Sequence, residues 1–239
     1  RNFCVRCSWD KIIKEYMKRR ILLLALCLLS LTAFAQDRSA LRDSLSAAVD
    51  RLGYYPDYTD LRLRKASWNI ELGQWQYAKD EYDYVLKREP RNIAALFYRA
   101  FVNEKMKRYG FARLDYETLL SVVPGNFEGR LGLALLNQKD HHYTEALDNI
   151  NILVSQYPDS AVAYAARGGM EAERNMLDLA EYDFGKAIEL APDNTEYRLN
   201  RVDVRLRMKR KDEAREDLDE MVKRGVSRAN LADWYAKCR

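Results

Sequence analysis

LGQWQYAKDEYDYVLKREP (residues 72–90) closes on a proline, and the reason it closes there decides the fold. Apolar residues recur through it at three- and four-residue spacing, as on one face of a helix. Pro90 ends that helix, because its ring fixes φ and removes a backbone donor. The chain has only five prolines, at 56, 90, 124, 158 and 192, and each interval is 34 residues. Other positions keep the same frame. Ala78, Ala112, Ala146, Ala180 and Ala214 form one series, with Tyr82, Tyr116, Ile150, Phe184 and Leu218 four residues later. Trp75, Tyr109, Tyr143, Leu177 and Lys211 precede the alanines by three, and Ala66, Ala100, Ala134, Gly168 and Val202 precede them by twelve. Each unit therefore holds two amphipathic helices, with small residues where the two would cross closely and a proline-containing turn to close it.

Such a unit resembles the tetratricopeptide repeat, a 34-residue helix-turn-helix. The clearest copies are residues 72–90 and LDLAEYDFGKAIELAPDN, residues 177–194. The resemblance covers residues 59–226 as five units: 59–92, 93–126, 127–160, 161–194 and 195–226. The last departs from the pattern, with Val226 in place of a sixth proline and Lys211 in place of an aromatic or leucine; terminal repeats are often atypical. The implied fold is all-α, a right-handed superhelical solenoid of antiparallel helix-turn-helix repeats ending in a C-terminal capping helix. Residues 36–58 should supply a single helix and turn, with Leu41, Leu45, Ala48, Val49 and Leu52 on its apolar face. Residues 227–239 should cap the other end through Leu231, Trp234 and Tyr235.

The N-terminal stretch belongs to another class of signal. MKRRILLLALCLLSLTAFAQ (17–36) places a basic run before an apolar core and ends that core in Ala33-Phe34-Ala35, the form of a secretory signal peptide spanning 17–35. Residues 1–16 then read as an over-extended reading frame, and their Cys4-x-x-Cys7 has no second pair to make a zinc site. The expected location is the bacterial periplasm, with secretion or an uncleaved membrane anchor as the alternatives, and no stable membrane insertion once the signal is cleaved. Removing residues 1–35 takes away seven of 40 basic and two of 36 acidic residues, leaving 33 and 34 and a net charge near −1. The basic balance thus lies in the leader, and no bulk charge argues for nucleic acid. Arg198, Arg201, Arg205, Lys209, Arg210 and Lys211 are offset by eight acidic residues between 196 and 220. Cys238 would be the one cysteine left, expected at a frayed end.

Charges inside the units vary in step. Lys65, Arg99, Leu133, Arg167 and Arg201 precede Glu81, Asp115, Asn149, Asp183 and Asp217 by sixteen residues. A base faces an acid, and where the base becomes Leu133 the acid becomes Asn149. The expected structural ion pairs are Lys65 with Glu81, Arg99 with Asp115, Arg167 with Asp183, and Arg201 with Asp217, each bridging one hairpin. Asn69, Asn103 and Asn137 also repeat at 34 residues, either as a ladder gripping a peptide or as local helix–helix hydrogen bonds; local satisfaction of buried amides favours the second.

The resemblance places a partner on the concave face formed by the first helices. Leu63, Phe97, Phe101, Leu131, Leu135, Leu199 and Leu206 are then the partner-binding residues, joined by Val162 and Ala165. Phe97 and Phe101 are candidate anchors for a helix or an extended apolar peptide. The lysines and asparagines by which some members of the family hold a C-terminal carboxylate have no counterpart among Phe97, Phe101, Leu131, Gly132 and Leu135. No serine–histidine–acid set, phosphate loop or cysteine–histidine pair is present, and His141 and His142 have only Asp140 and Glu145 near them as further ligands. No catalytic residue, cofactor or metal is expected. The reading is a protein-interaction scaffold with protein partners, the alternative a chaperone or assembly factor, and a metal-dependent enzyme is least favoured.

Overall fold

A computed structural model describes residues 38–239; the expectations for residues 1–16 and for the signal segment 17–35 lie outside them. Every regular element among the described residues is helical. The chain divides after Lys87 into two compact units.

The described part of the first unit holds α1 (38–54), α2 (Thr59–Glu71) and all but the last residue of α3 (Trp75–Arg88). Ala48 and Leu52 on α1 are buried, whereas Val49 is 52% exposed, so the inward face of α1 is narrower than its apolar pattern. Ala66 of α2 and Ala78 of α3 are fully buried.

The second unit, Arg88–Arg239, contains four hairpins. They are α4 (Ile93–Lys105) with α5 (Tyr109–Val122), α6 (Phe127–Lys139) with α7 (Tyr143–Gln156), α8 (Ala161–Glu173) with α9 (Leu177–Leu190), and α10 (Thr195–Arg207) with α11 (Lys211–Lys223). Each helix packs on its hairpin partner, and α5 on α6, α7 on α8 and α9 on α10 join the hairpins in chain order. A 3₁₀ turn (Arg228–Leu231) and α12 (Ala232–Lys237) close the array. Leu231 is buried there, with Trp234 and Tyr235 against Val202, Leu218 and Met221. Cys238 is not at a frayed end: it is 3% exposed in this same cluster, because Arg215 holds its carbonyl at 3.0 Å and α12 packs on α11.

The proline turns do two things at once. Pro90, Pro124, Pro158 and Pro192 follow the second helices, and two residues later Asn92, Asn126, Ser160 and Asn194 cap the next helix. Their side-chain oxygens accept from the N–H of Ala95 (3.0 Å), Gly129 (2.7 Å), Ala163 (3.2 Å) and Glu196 (2.9 Å). Each satisfies an N-terminal amide that has no intrahelical acceptor. Stop and restart are thus encoded within three residues.

The turn inside each hairpin has its own repeated device. Gly73, Lys107, His141, Asn175 and Lys209, again 34 residues apart, all have φ between 59° and 72°. Only glycine enters that region freely; an L side chain there costs about 1–2 kcal/mol. His141 occupies the turn for its backbone, at the position held by glycine in the first repeat.

The small residues sit at the crossings. Ala100, Ala134, Gly168 and Val202 of the first helices, and Ala112, Ala146, Ala180 and Ala214 of the second, are all buried. At Gly168 an added Cβ would stand 3.3 Å from the Ala180 carbonyl oxygen and 3.3 Å from Asp183 Cβ. At Gly132 it would strike the Tyr116 ring at 2.7 Å, so that glycine makes the space the tyrosine fills.

Replacing Lys107 with glycine relieves the left-handed strain and is expected to raise unfolding stability by up to about 1 kcal/mol after the extra unfolded-state freedom is subtracted. Urea unfolding of Lys107→Gly beside wild type measures this; a loss of stability would show that the Lys107 side chain makes an offsetting contact.

Candidate protein-binding face

The acids of the second helices are buried, and each meets a base from the first helix of its own hairpin. Arg99 donates through Nε and Nη2 to Asp115 at 2.9 and 2.5 Å, Arg167 to Asp183 at 2.6 and 2.8 Å, and Arg201 to Asp217 at 2.9 and 2.5 Å. These are two-point guanidinium–carboxylate contacts, which fix orientation as well as charge. In the first unit Lys65 donates to Glu81 at 2.6 Å, and Arg62 holds the other carboxylate oxygen at 2.6 Å. The hydrogen bond to Asp183 raises the Arg167 pKa above the ordinary arginine value, with burial opposing it.

Another arginine series recurs in alternate repeats. Arg62, Arg130 and Arg198 lie six residues after Pro56, Pro124 and Pro192, and each donates to that proline's carbonyl, at 2.7, 2.8 and 3.3 Å. They tie the entering turn to the first helix of the hairpin. In the α6/α7 hairpin Arg130 also reaches Asn149 at 3.4 Å, beside the buried Leu133 that stands where the other hairpins carry a base. The intervening repeats carry Leu96 and Tyr164 at this position. The Pro-x₅-Arg spacing was a readable signal for this series, hidden by its 68-residue period.

The repeated asparagines are interior groups. Asn69, Asn103 and Asn137 are 1–3% exposed. Asn103 donates to Asp115 at 3.3 Å, and Asn137 accepts from Arg113 at 2.8 Å. Arg113 of α5 continues to Asp140 at 2.5 Å, so it links one hairpin to the next. Arg205 makes the corresponding link to Glu181 of α9 at 2.8 Å. No amide of this series is open to a peptide.

The residues assigned to a partner fall into two groups. Phe97 is half-buried, packed edge-on against Tyr98 and Tyr116 with centroids 5.3 and 5.9 Å away, in the cluster of Ala100, Ala112 and Leu136. Leu131 packs against the α6–α8 core, and Leu199 and Leu206 against the C-terminal core. These four pad the hydrophobic cores of their hairpins. Phe101 is half-buried with the Lys105 ammonium 5.0 Å from its ring centre, and Leu135, one repeat later, is 45% exposed. On α8 the same two register positions hold Ala165 and Gly169, and a Cβ at Gly169 would meet nothing within 4 Å. Val162, at the start of α8, is 46% exposed. Leu63, on α2 of the first unit, is half-buried.

His141 and His142 point to other partners. His141 Nδ1 lies 2.7 Å from the Tyr143 hydroxyl, and His142 Nδ1 lies 3.4 Å from Asp140 and 3.1 Å from Arg113. Among the described residues no group of three or more His, Cys, Asp or Glu is arranged to hold a metal ion. No described helix is long and apolar enough to cross a membrane.

The fold of these hairpins matches solved proteins. A tetratricopeptide repeat protein from Parabacteroides merdae superposes with a TM-score of 0.63 at 21% identity, covering 85% of this chain and 79% of its own. The fold is that of the tetratricopeptide repeat. A thermophilic tetratricopeptide-repeat protein of Thermus thermophilus is similar at TM-score 0.57 and 22% identity (75% and 98% covered). So is YrrB, described as having an unusual peptide-binding site, at 0.56 and 19% (74% and 91%). No protein-family profile and no curated protein matches the chain. At these identities the likeness extends to the tetratricopeptide fold alone.

Arg167→Ala strands Asp183, which is 1% exposed, and is expected to cost roughly 3–5 kcal/mol. The double change Arg167→Leu/Asp183→Asn, which copies Leu133 and Asn149, should cost less than the single one. Thermal and urea unfolding of the two variants measure the difference; an unaffected Arg167→Ala protein would show that the pair carries no such burden.

Proposed function

We propose that this chain is a non-catalytic protein-interaction scaffold, exported to the periplasm, that holds a partner helix or extended apolar peptide against the first helices of its second unit. The carrying observation is one register position of α4, α6 and α8: Phe101 half-buried, Leu135 45% exposed, and then the open space at Gly169. A row that goes from aromatic to aliphatic to empty gives an apolar ridge beside a notch, a shape suited to side chains of a docked segment. The tetratricopeptide fold, and a solved neighbour whose description names a peptide-binding site, favour a peptide-like partner. Export rests on the leader-like residues 17–36.

The geometry selects the variant for testing. Phe97 is a core residue, so its loss would confuse binding with stability, whereas Leu135 is exposed. Leu135→Glu should leave the melting temperature within a few degrees of wild type and weaken the partner complex at least tenfold, on the order of 1.4 kcal/mol or more. A photo-crosslinking residue at 135 should give a discrete adduct in cells, and one at Phe111, on the second helix α5 and 66% exposed, should not. Adducts from 111 alone would move the binding face. A ladder of many unrelated adducts from 135 would favour the chaperone reading.

A further inference from the structure

Glu171 stands where the three preceding repeats carry Asn69, Asn103 and Asn137, and where the last carries Arg205. All four alternatives can donate a hydrogen bond: Asn103 donates to Asp115 and Arg205 to Asp217, at 3.3 and 3.0 Å. A glutamate can donate only when protonated. Glu171 is 7% exposed, and its Oε2 is buried without a hydrogen-bond partner.

We infer that Glu171 is a proton-operated latch between α8 and α9: as the neutral acid it donates to Asp183 and closes the hairpin, and as the carboxylate it repels Asp183 and loosens it. The surroundings leave no other way to satisfy the ion. From its own helix Arg167 faces it, but that guanidinium is committed to Asp183 at 2.6 and 2.8 Å and to Asn151 of α7 at 3.1 Å. α9 brings Asp183 itself, the counterpart of the Asp115 to which Asn103 donates at the same register position. The α7 position that corresponds to Arg113 and Glu181 in their hairpins is Leu147, which offers no polar group. α10 brings Arg205, held by Glu181 and Asp217, and Arg207, which donates to the Ala172 carbonyl at 2.7 Å. Burial first, and then the Asp183 charge, push the Glu171 carboxyl from its ordinary 4.5 up to about 7, with Arg167 opposing.

The sign follows from linkage. A carboxyl with a raised folded-state pKa favours the folded state while it is protonated in both states, below 4.5, and loses that contribution as pH climbs to about 7. The proton exchanges with solvent, and no other group need change. The crossing at Gly168, where an added Cβ would stand 3.3 Å from the Ala180 carbonyl oxygen, lets a small separation of the two carboxylates be felt along the whole α8–α9 contact.

Urea unfolding of the full chain and of Glu171→Gln, at intervals from pH 4.5 to 8, tests the latch. The amide donates at every pH, so the ratio of the two folding constants should be near unity at low pH and shift by on the order of a hundredfold against wild type by pH 8. His141 and His142 are present in both proteins and cancel in that ratio. Carboxyl ¹³C NMR of wild type should place the Glu171 midpoint near neutrality, and this reading stands even if the glutamine variant folds poorly. Parallel pH profiles, or a Glu171 midpoint near 4.5, would overturn the inference.

Discussion

A buried carboxylate on the second helix constrains the rest of every hairpin but α6/α7. Asp115, Asp183 and Asp217 are 1–4% exposed, and an acid so placed must be met by a base of fixed geometry. The planar two-point contact with Arg99, Arg167 and Arg201 sets the rotation of both helices about their axes. That rotation in turn brings Ala100 toward Ala112 and Gly168 toward Ala180 at the crossings of their hairpins. The α6/α7 hairpin shows that the pair is replaceable as a unit: Leu133 and Asn149 keep the register with no charge. Half of a pair would leave a charge buried without its partner.

Around this fixed frame one position varies with consequence. At the slot 12 residues before the buried acid the chain carries three asparagines, then Glu171, then Arg205. The arginine reaches further than the amide did, touching both Asp217 and the Glu181 of the preceding hairpin. The glutamate can donate there only when protonated. A repeated backbone thus hosts unequal chemistry inside the hairpins as well as on the face proposed to meet a partner.

The architecture was legible because its marks are few and regular. Five prolines at one interval, and alanines in phase with them, leave little choice but stacked helical hairpins, and the implied C-terminal cap is seen in Leu231, Trp234 and Tyr235. Less visible were the caps Asn92, Asn126, Ser160 and Asn194, which are ordinary polar turn residues until the next helix is placed. The left-handed residues were hidden by chemistry: lysine, histidine and asparagine share a backbone conformation there, not a side-chain property. Apolar residues on the first helices are the hardest to sort. Phe97 and Phe101 follow the same helical period, yet Phe97 packs against Tyr116 in the core, while the register of Phe101 leads to exposed Leu135; periodicity cannot separate a ridge from the padding beneath it.

The most direct measurement of the clamp is a double-mutant cycle on Arg99 and Asp115, using Arg99→Leu, Asp115→Asn and the double variant in urea unfolding. If the buried acid and its guanidinium act as one unit, the double change costs less than the sum of the single changes by more than about 1 kcal/mol. Additive losses, with a coupling within roughly 0.3 kcal/mol of zero, would contradict the clamp as the constraint on which the hairpins depend.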